Sequence, residues 1–88
     1  MKYTYNTKGT CSRRILIDMD ENGTIISAEF VGGCHGNTQG LSALVRGQDA
    51  ADVAKRLRGI NCGRKGTSCP DQLSLALEAG LAHLKEDA

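Results

Sequence analysis

The chain has 88 residues, enough for one domain with a modest core, which a bound metal or self-association would usefully support. A net charge of +1 and only three aromatic residues, Tyr3, Tyr5 and Phe30, leave neither an electrostatic footprint nor a stacking platform for nucleic acid. No segment reaches the apolar length of a membrane span and residues 1–20 lack the apolar run of a secretion signal, so a cytoplasmic location is expected, with no membrane partner.

The N-terminal third predicts strands. Lys2–Thr7 alternates and carries two Tyr and two Thr, all strand formers, and Lys8-Gly9 reads as a turn. Arg14–Asp20 sets Ile15, Ile17 and Met19 on one face and Arg14, Leu16 and Asp18 on the other. Asn22-Gly23 is a pair favoured in hairpin turns, and Thr24–Val31 reads as the returning antiparallel strand, ended by Gly32-Gly33. A first helix is expected to begin near Asn37 or Thr38, with Leu41, Leu44 and Val45 at helical spacing, and to stop at Gly47. A second starts at Asp49 as N-cap, uses Ala51, Val53, Ala54 and Leu57 as its apolar side, and ends at Gly59. Asn61–Ser68 reads as a loop. Pro70 suits the first position of a third helix whose buried stripe is Leu73, Ala76, Leu77, Gly80, Leu81 and Leu84. Strands followed by helices predict one α+β domain over residues 1–88, an antiparallel meander or hairpin with helices on one sheet face.

The four cysteines fall between these elements. Cys11 precedes a strand, Cys34 separates the last strand from the first helix, Cys62 follows the second helix, and Cys69 stands at the N-cap of the third. Buried structural cysteines act as small hydrophobes within apolar stripes, and these do not. Four thiolates match the coordination number of zinc or of one iron–sulfur cluster, whereas a reducing compartment disfavours a disulfide framework. Cys34 and Cys69 precede helix N-termini, where backbone N–H groups favour an anionic ligand. Gly9, Gly33, Gly36, Gly63 and Gly66 flank the cysteines and let the backbone approach a metal closely. The spacing adds nothing, since no Cys-x-x-Cys pair occurs.

Other residues have plainer readings. His35 can ligate zinc but reads more simply as a solvated loop residue, and His83 as a surface residue on the last helix. Asp71 suits the first turn of its helix as a dipole partner, or could tune Cys69. Lys55, Arg56 and Arg58 complement the C-terminal end of the second helix. With no Ser-His-Asp set and no phosphate-binding glycine loop, no catalytic residue is assigned.

Thr67-Ser68-Cys69-Pro70-Asp71, followed by Gln72-Leu73, is the motif of the TSCPD domain, and nearly the whole chain resembles a stand-alone, four-cysteine member of that family. Such domains also occur at the C-terminus of cobalamin-dependent ribonucleotide reductases. The resemblance implies metal binding through Cys11, Cys34, Cys62 and Cys69. A more distant resemblance is to NifU-like iron–sulfur scaffolds. Asp20-Glu21-Asn22-Gly23 is similar to their hairpin, Gly33-Cys34-His35-Gly36 to their Gly-Cys-Gly, and Val45-Arg46-Gly47-Gln48 followed by Asp52 to their inter-helix turn. That likeness implies Cys11, Cys34 and Cys69 as ligands, and an α+β fold of a three-stranded antiparallel sheet followed by three packed helices. Arg13 and Ser68 replace the scaffold's Asp and His, and Cys62 has no counterpart there, which favours a closed, permanently held metal over a transferable cluster.

The expectation is therefore a small zinc-binding accessory or interaction module, with an iron–sulfur scaffold or a thiol-redox accessory to ribonucleotide reduction as alternatives. A reductase label would come by association with the larger enzyme alone. The expected partner is a protein the sequence does not name, and self-association is open to so small a chain.

Overall fold

Alternating polar and apolar residues build the first third into a sheet, and residues at i, i+3, i+4 and i+7 lay helices over its apolar face. The computed structural model describes residues 1–9, 12–32, 35–60 and 67–86. Strands β1 (Lys2–Asn6), β2 (Ser12–Met19) and β3 (Ile25–Gly32) form an antiparallel sheet in the order β1-β2-β3. Helices α1 (His35–Val45), α2 (Ala50–Leu57) and α3 (Cys69–Glu86) follow. This is the expected α+β architecture.

β2 is the centre of the sheet. Ile15, Ile17 and Met19 are buried, while Leu16 is 37% exposed on the opposite face. Thr4, Leu16 and Glu29 lie in register across the three strands. At the hairpin end Asp18 pairs with Ser27 and Met19 with Ile25, so Ile26 is an extra residue. This bulge explains how Ile25 and Ala28, three apart, are both buried while Ile26 is 49% exposed.

The expected Asn22-Gly23 turn joins β2 to β3, within a connection of five residues, 20–24. Gly23 N donates to Asp20 O at 3.1 Å, and the Asp20 carboxylate accepts from the backbone N–H groups of Asn22 and Thr24, each at 2.9 Å. Gly23 alone in this turn has a positive φ, +82°, so the arrangement is a turn closed by a left-handed glycine rather than a two-residue type I′ loop. The α1–α2 connection is stitched to the same hairpin. Gly47 N donates to Ile25 O at 2.7 Å, Ile25 N to Gln48 O at 2.9 Å, and Ala50 N to Gly23 O at 2.9 Å.

α1 begins at His35, ahead of the expected Asn37 or Thr38. Val45 is buried and Leu41 packs on the core, but Leu44, expected on the same stripe, is 75% exposed. α2 has the expected cap, with Asp52 N donating to the Asp49 carboxylate at 3.0 Å. Its buried face is Ala50, Val53 and Ala54, with Leu57 packed against the core, while Ala51 is exposed. In both helices periodicity was right, and packing against β3 and α3 selected which of two adjacent residues turns inward. α3 buries Leu73, Ala76 and Leu77 completely, each aliphatic Leu worth roughly 1.5–3 kcal/mol.

α3 spans the sheet from end to end. Its C-terminal half meets the hairpin, where a Cβ on Gly23 would lie 3.2 Å from Leu81 Cδ2. Its N-terminus meets the opposite end, where the turn after β1 donates from Lys8 N to Gln72 Oε1 at 3.0 Å.

Candidate functional site

That opposite end of the sheet is organised by the first turn of α3. The helix N-cap is Ser68, one residue earlier than the sequence suggested. Asp71 N donates to Ser68 Oγ at 3.1 Å and Gln72 N to Ser68 O at 2.8 Å. Cys69 is thus the first helical residue and Pro70 the second, rather than N-cap and first. A hydroxyl accepts a backbone N–H better than a thiol does, which decides the boundary. Pro70 is still tolerated, because N–H groups in the first turn have no intrahelical partner to lose.

Around this cap the polar side chains tie three chain segments together. The Thr67 hydroxyl donates to Asp71 Oδ2 at 2.5 Å and accepts from Gln72 Nε2 at 2.9 Å. Gln72 Oε1 takes Lys8 N from the β1–β2 connection. Asp71 Oδ1 takes Gly59 N from the end of α2, at 2.7 Å. Ser68 Oγ donates to Ile60 O at 2.5 Å. Asp71, expected as a helix-dipole partner, therefore also anchors α2. The Thr67 hydroxyl and the Gly59 N–H hold its carboxyl below the usual aspartate range; Arg58 adds to this and partial burial opposes it.

Cys69 lies in this turn and is half-buried. Cys11, Cys34 and Cys62 lie outside the described residues, as does the His35 side chain. Some described residues within two positions of the cysteines contact one another. Ser12, next to Cys11, pairs with Gly32, two residues before Cys34. A Cβ on Gly9, two residues before Cys11, would lie 3.0 Å from Thr67 Cγ2, two residues before Cys69. Ile60, two residues before Cys62, accepts from Ser68, next to Cys69.

The remaining singled-out residues sit elsewhere. His83 is exposed, its ring centroid 5.7 Å from that of Tyr3. Lys55, Arg56 and Arg58 are exposed, with Arg56 paired to Asp52 at 3.3 Å and Arg58 to both Glu78 oxygens at 2.8 and 3.0 Å. Among the described residues no three His, Cys, Asp or Glu side chains group to hold a metal, and no helix is long and apolar enough to cross a membrane. Sequence reasoning missed the roles of Ser68, Thr67 and Gln72. The Ser68-x-x-Asp71 spacing of a capped helix start was the available signal.

No curated protein and no solved structure matches the chain. A family model, that of the TSCPD domain, matches residues 1–81. Four of the five residues of its Thr-Ser-Cys-Pro-Asp motif thus build or fit the first turn of α3, with Cys69 between them, and the chain belongs to the TSCPD domain family.

Proposed function

We propose that Cys11, Cys34, Cys62 and Cys69 together hold one metal ion, zinc, and that the protein serves as a small metal-stabilised accessory or interaction module for a protein partner. The observation that carries this reading is the convergence of the chain around the cysteines: the Ser12–Gly32 pair, the Gly9–Thr67 contact and the Ser68–Ile60 hydrogen bond lie at one end of the sheet. A chain advances at most about 3.3–3.6 Å per residue, so thiols one or two residues beyond touching residues are within reach of a common point. The donor chemistry fits as well. Four thiolates make a closed zinc site with no position left for substrate, which suits a structural role. The metal would stabilise the fold; the residues of this chain would bind it and exclude water.

The same four thiolates suit an iron–sulfur cluster, and the test separates the two. The protein is purified without added metal and its metal content measured. One zinc per chain, lost on changing any one of the four cysteines to Ser, supports the proposal. Iron with sulfide and a brown colour would assign a cluster instead. A metal-free protein with a reversible disulfide would overturn metal binding in favour of redox thiols.

A further inference from the structure

We propose that β1 is a docking edge for a second copy of this chain, the two Lys2–Asn6 strands pairing antiparallel about a two-fold axis at Thr4. β1 lies at the edge of the sheet, and its ladder with β2 shows which of its backbone groups are already used. Met1 and Met19 exchange both bonds, Met1 N to Met19 O at 2.7 Å and Met19 N to Met1 O at 2.9 Å, and Thr7 N donates to Arg13 O at 3.1 Å. Hydrogen-bonded pairs in an antiparallel ladder recur every second residue, so Tyr3 and Tyr5 also turn their N–H and C=O groups to β2. Lys2, Thr4 and Asn6 turn theirs outward, and among the described residues no strand pairs with that side of β1. The pairing needs no metal.

Edge strands are commonly blunted by charge, proline or a bulge. β1 has no proline and no register shift, and its single charge, Lys2, stands at one end in register with Asp18. The other edge strand, β3, meets β2 with two register shifts and has α1 packed against it. A second copy fits β1 because the strand is complementary to itself. With Thr4 opposite Thr4, Lys2 falls opposite Asn6, so every outward N–H of these residues finds an outward C=O and no like charges are opposed. Tyr3 then falls opposite Tyr5 of the second copy, on the side where its ring centroid already lies 5.7 Å from that of His83. Aromatic pairs across strands stabilise such pairing. A five-residue edge is a small interface, so the dimer is expected to be weak.

The full chain, with reductant present so that thiols cannot cross-link it, is followed by sedimentation up to about 1 mM. Amide exchange is then compared, residue by residue, at concentrations where sedimentation shows monomer and dimer. The expected result is a monomer–dimer equilibrium in which exchange at Thr4 N–H slows as dimer forms, while Tyr5 N–H, already bonded to β2, is unchanged. Thr4→Pro removes only an outward N–H, which an edge strand tolerates, and Thr4→Lys sets two like charges face to face at the axis. Each, with folding checked by circular dichroism, is expected to weaken dimerisation at least about tenfold. Thr4→Val keeps the backbone and the strand propensity and is expected to dimerise at least as well as the parent. A parent that stays monomeric to about 1 mM would overturn the inference, as would a folded Thr4→Lys protein that dimerises like the parent. Full protection of Thr4 N–H in the monomer would also overturn it, by showing that another part of the chain covers the edge. If neither Thr4→Pro nor Thr4→Lys folds, the concentration dependence of Thr4 exchange in the parent decides alone.

Discussion

Gly80 of α3 packs so closely on Met19 of β2 that a Cβ at position 80 would lie 2.8 Å from Met19 Cε, with Tyr3 at 3.8 Å. Glycine inside a helix costs about 1 kcal/mol relative to alanine, so its presence there reflects the approach of the helix to the sheet. Met19 is fully buried, but the atom in the way is the end of a flexible side chain, which yields at small cost. The gain in helix propensity and the cost of shifting Met19 Cε then largely offset. Gly80→Ala should therefore change stability by less than about 1 kcal/mol in urea unfolding. In a Met19→Leu background, where Cε is gone, the same change should be more favourable, and a double-mutant cycle would read that coupling.

Leu73 and Leu44 have the same chemistry and both stand at helical spacing. Leu73 is fully buried and Leu44 is 75% exposed. Leu73→Ala should cost about 2–5 kcal/mol, a large part of what a domain this size has. Leu44→Ala should stay within about 0.5 kcal/mol. Equal losses at the two positions in chemical denaturation would mean that α1 is packed otherwise than described.

Acid should loosen the junction between α2 and α3. The Asp71 carboxyl is held below its usual value by the Thr67 hydroxyl and the Gly59 N–H. A carboxylate whose folded value is depressed contributes stability above its unfolded value, 3.8, and loses that contribution as pH falls through the folded value. Asp71→Asn should remove this part of the acid sensitivity, so its stability should fall less steeply below about pH 4 than the parent's. The comparison is made on chelator-treated protein, so that competition between protons and a thiolate-bound metal does not contribute.

On the proposed reading, stripping zinc should lower the Tm substantially, because the free energy of binding to a site formed only in the folded chain would add to folding. The same loss should appear on acidification, as protons compete with metal for the thiolates. Scanning calorimetry before and after verified metal removal checks this. An unchanged Tm would separate the metal from the stability of the fold.

The sheet was legible because its cues are local. Alternation in Arg14–Asp20 named the buried face, and Asn22-Gly23 named the reversal, since a left-handed residue in a tight turn is chemically restrictive. The Asp49 cap was legible for the same reason. Boundaries drifted where two neighbours compete for one role, as Ser68 and Cys69 did for the N-cap of α3. Burial drifted likewise, with Leu44 and Ala51 turned outward beside Val45 and Ala50. A helical stripe defines a face only to within a residue, and the partner surface settles the rotation.

By itself the sequence determined the residue types at the candidate site: four thiols at the ends of elements, with capping residues beside Cys69. The tertiary structure decided that Gly9 meets Thr67, Ser12 pairs with Gly32 and Ser68 bonds Ile60, all described residues within two positions of a thiol. The bonds that do this, Lys8 N to Gln72 across 64 positions and Ser68 to Ile60 through a side chain, have no local periodicity to announce them. They form because α3, driven down on β2 by Leu73 and Leu77, brings its first turn to the end of the sheet where those partners already stand.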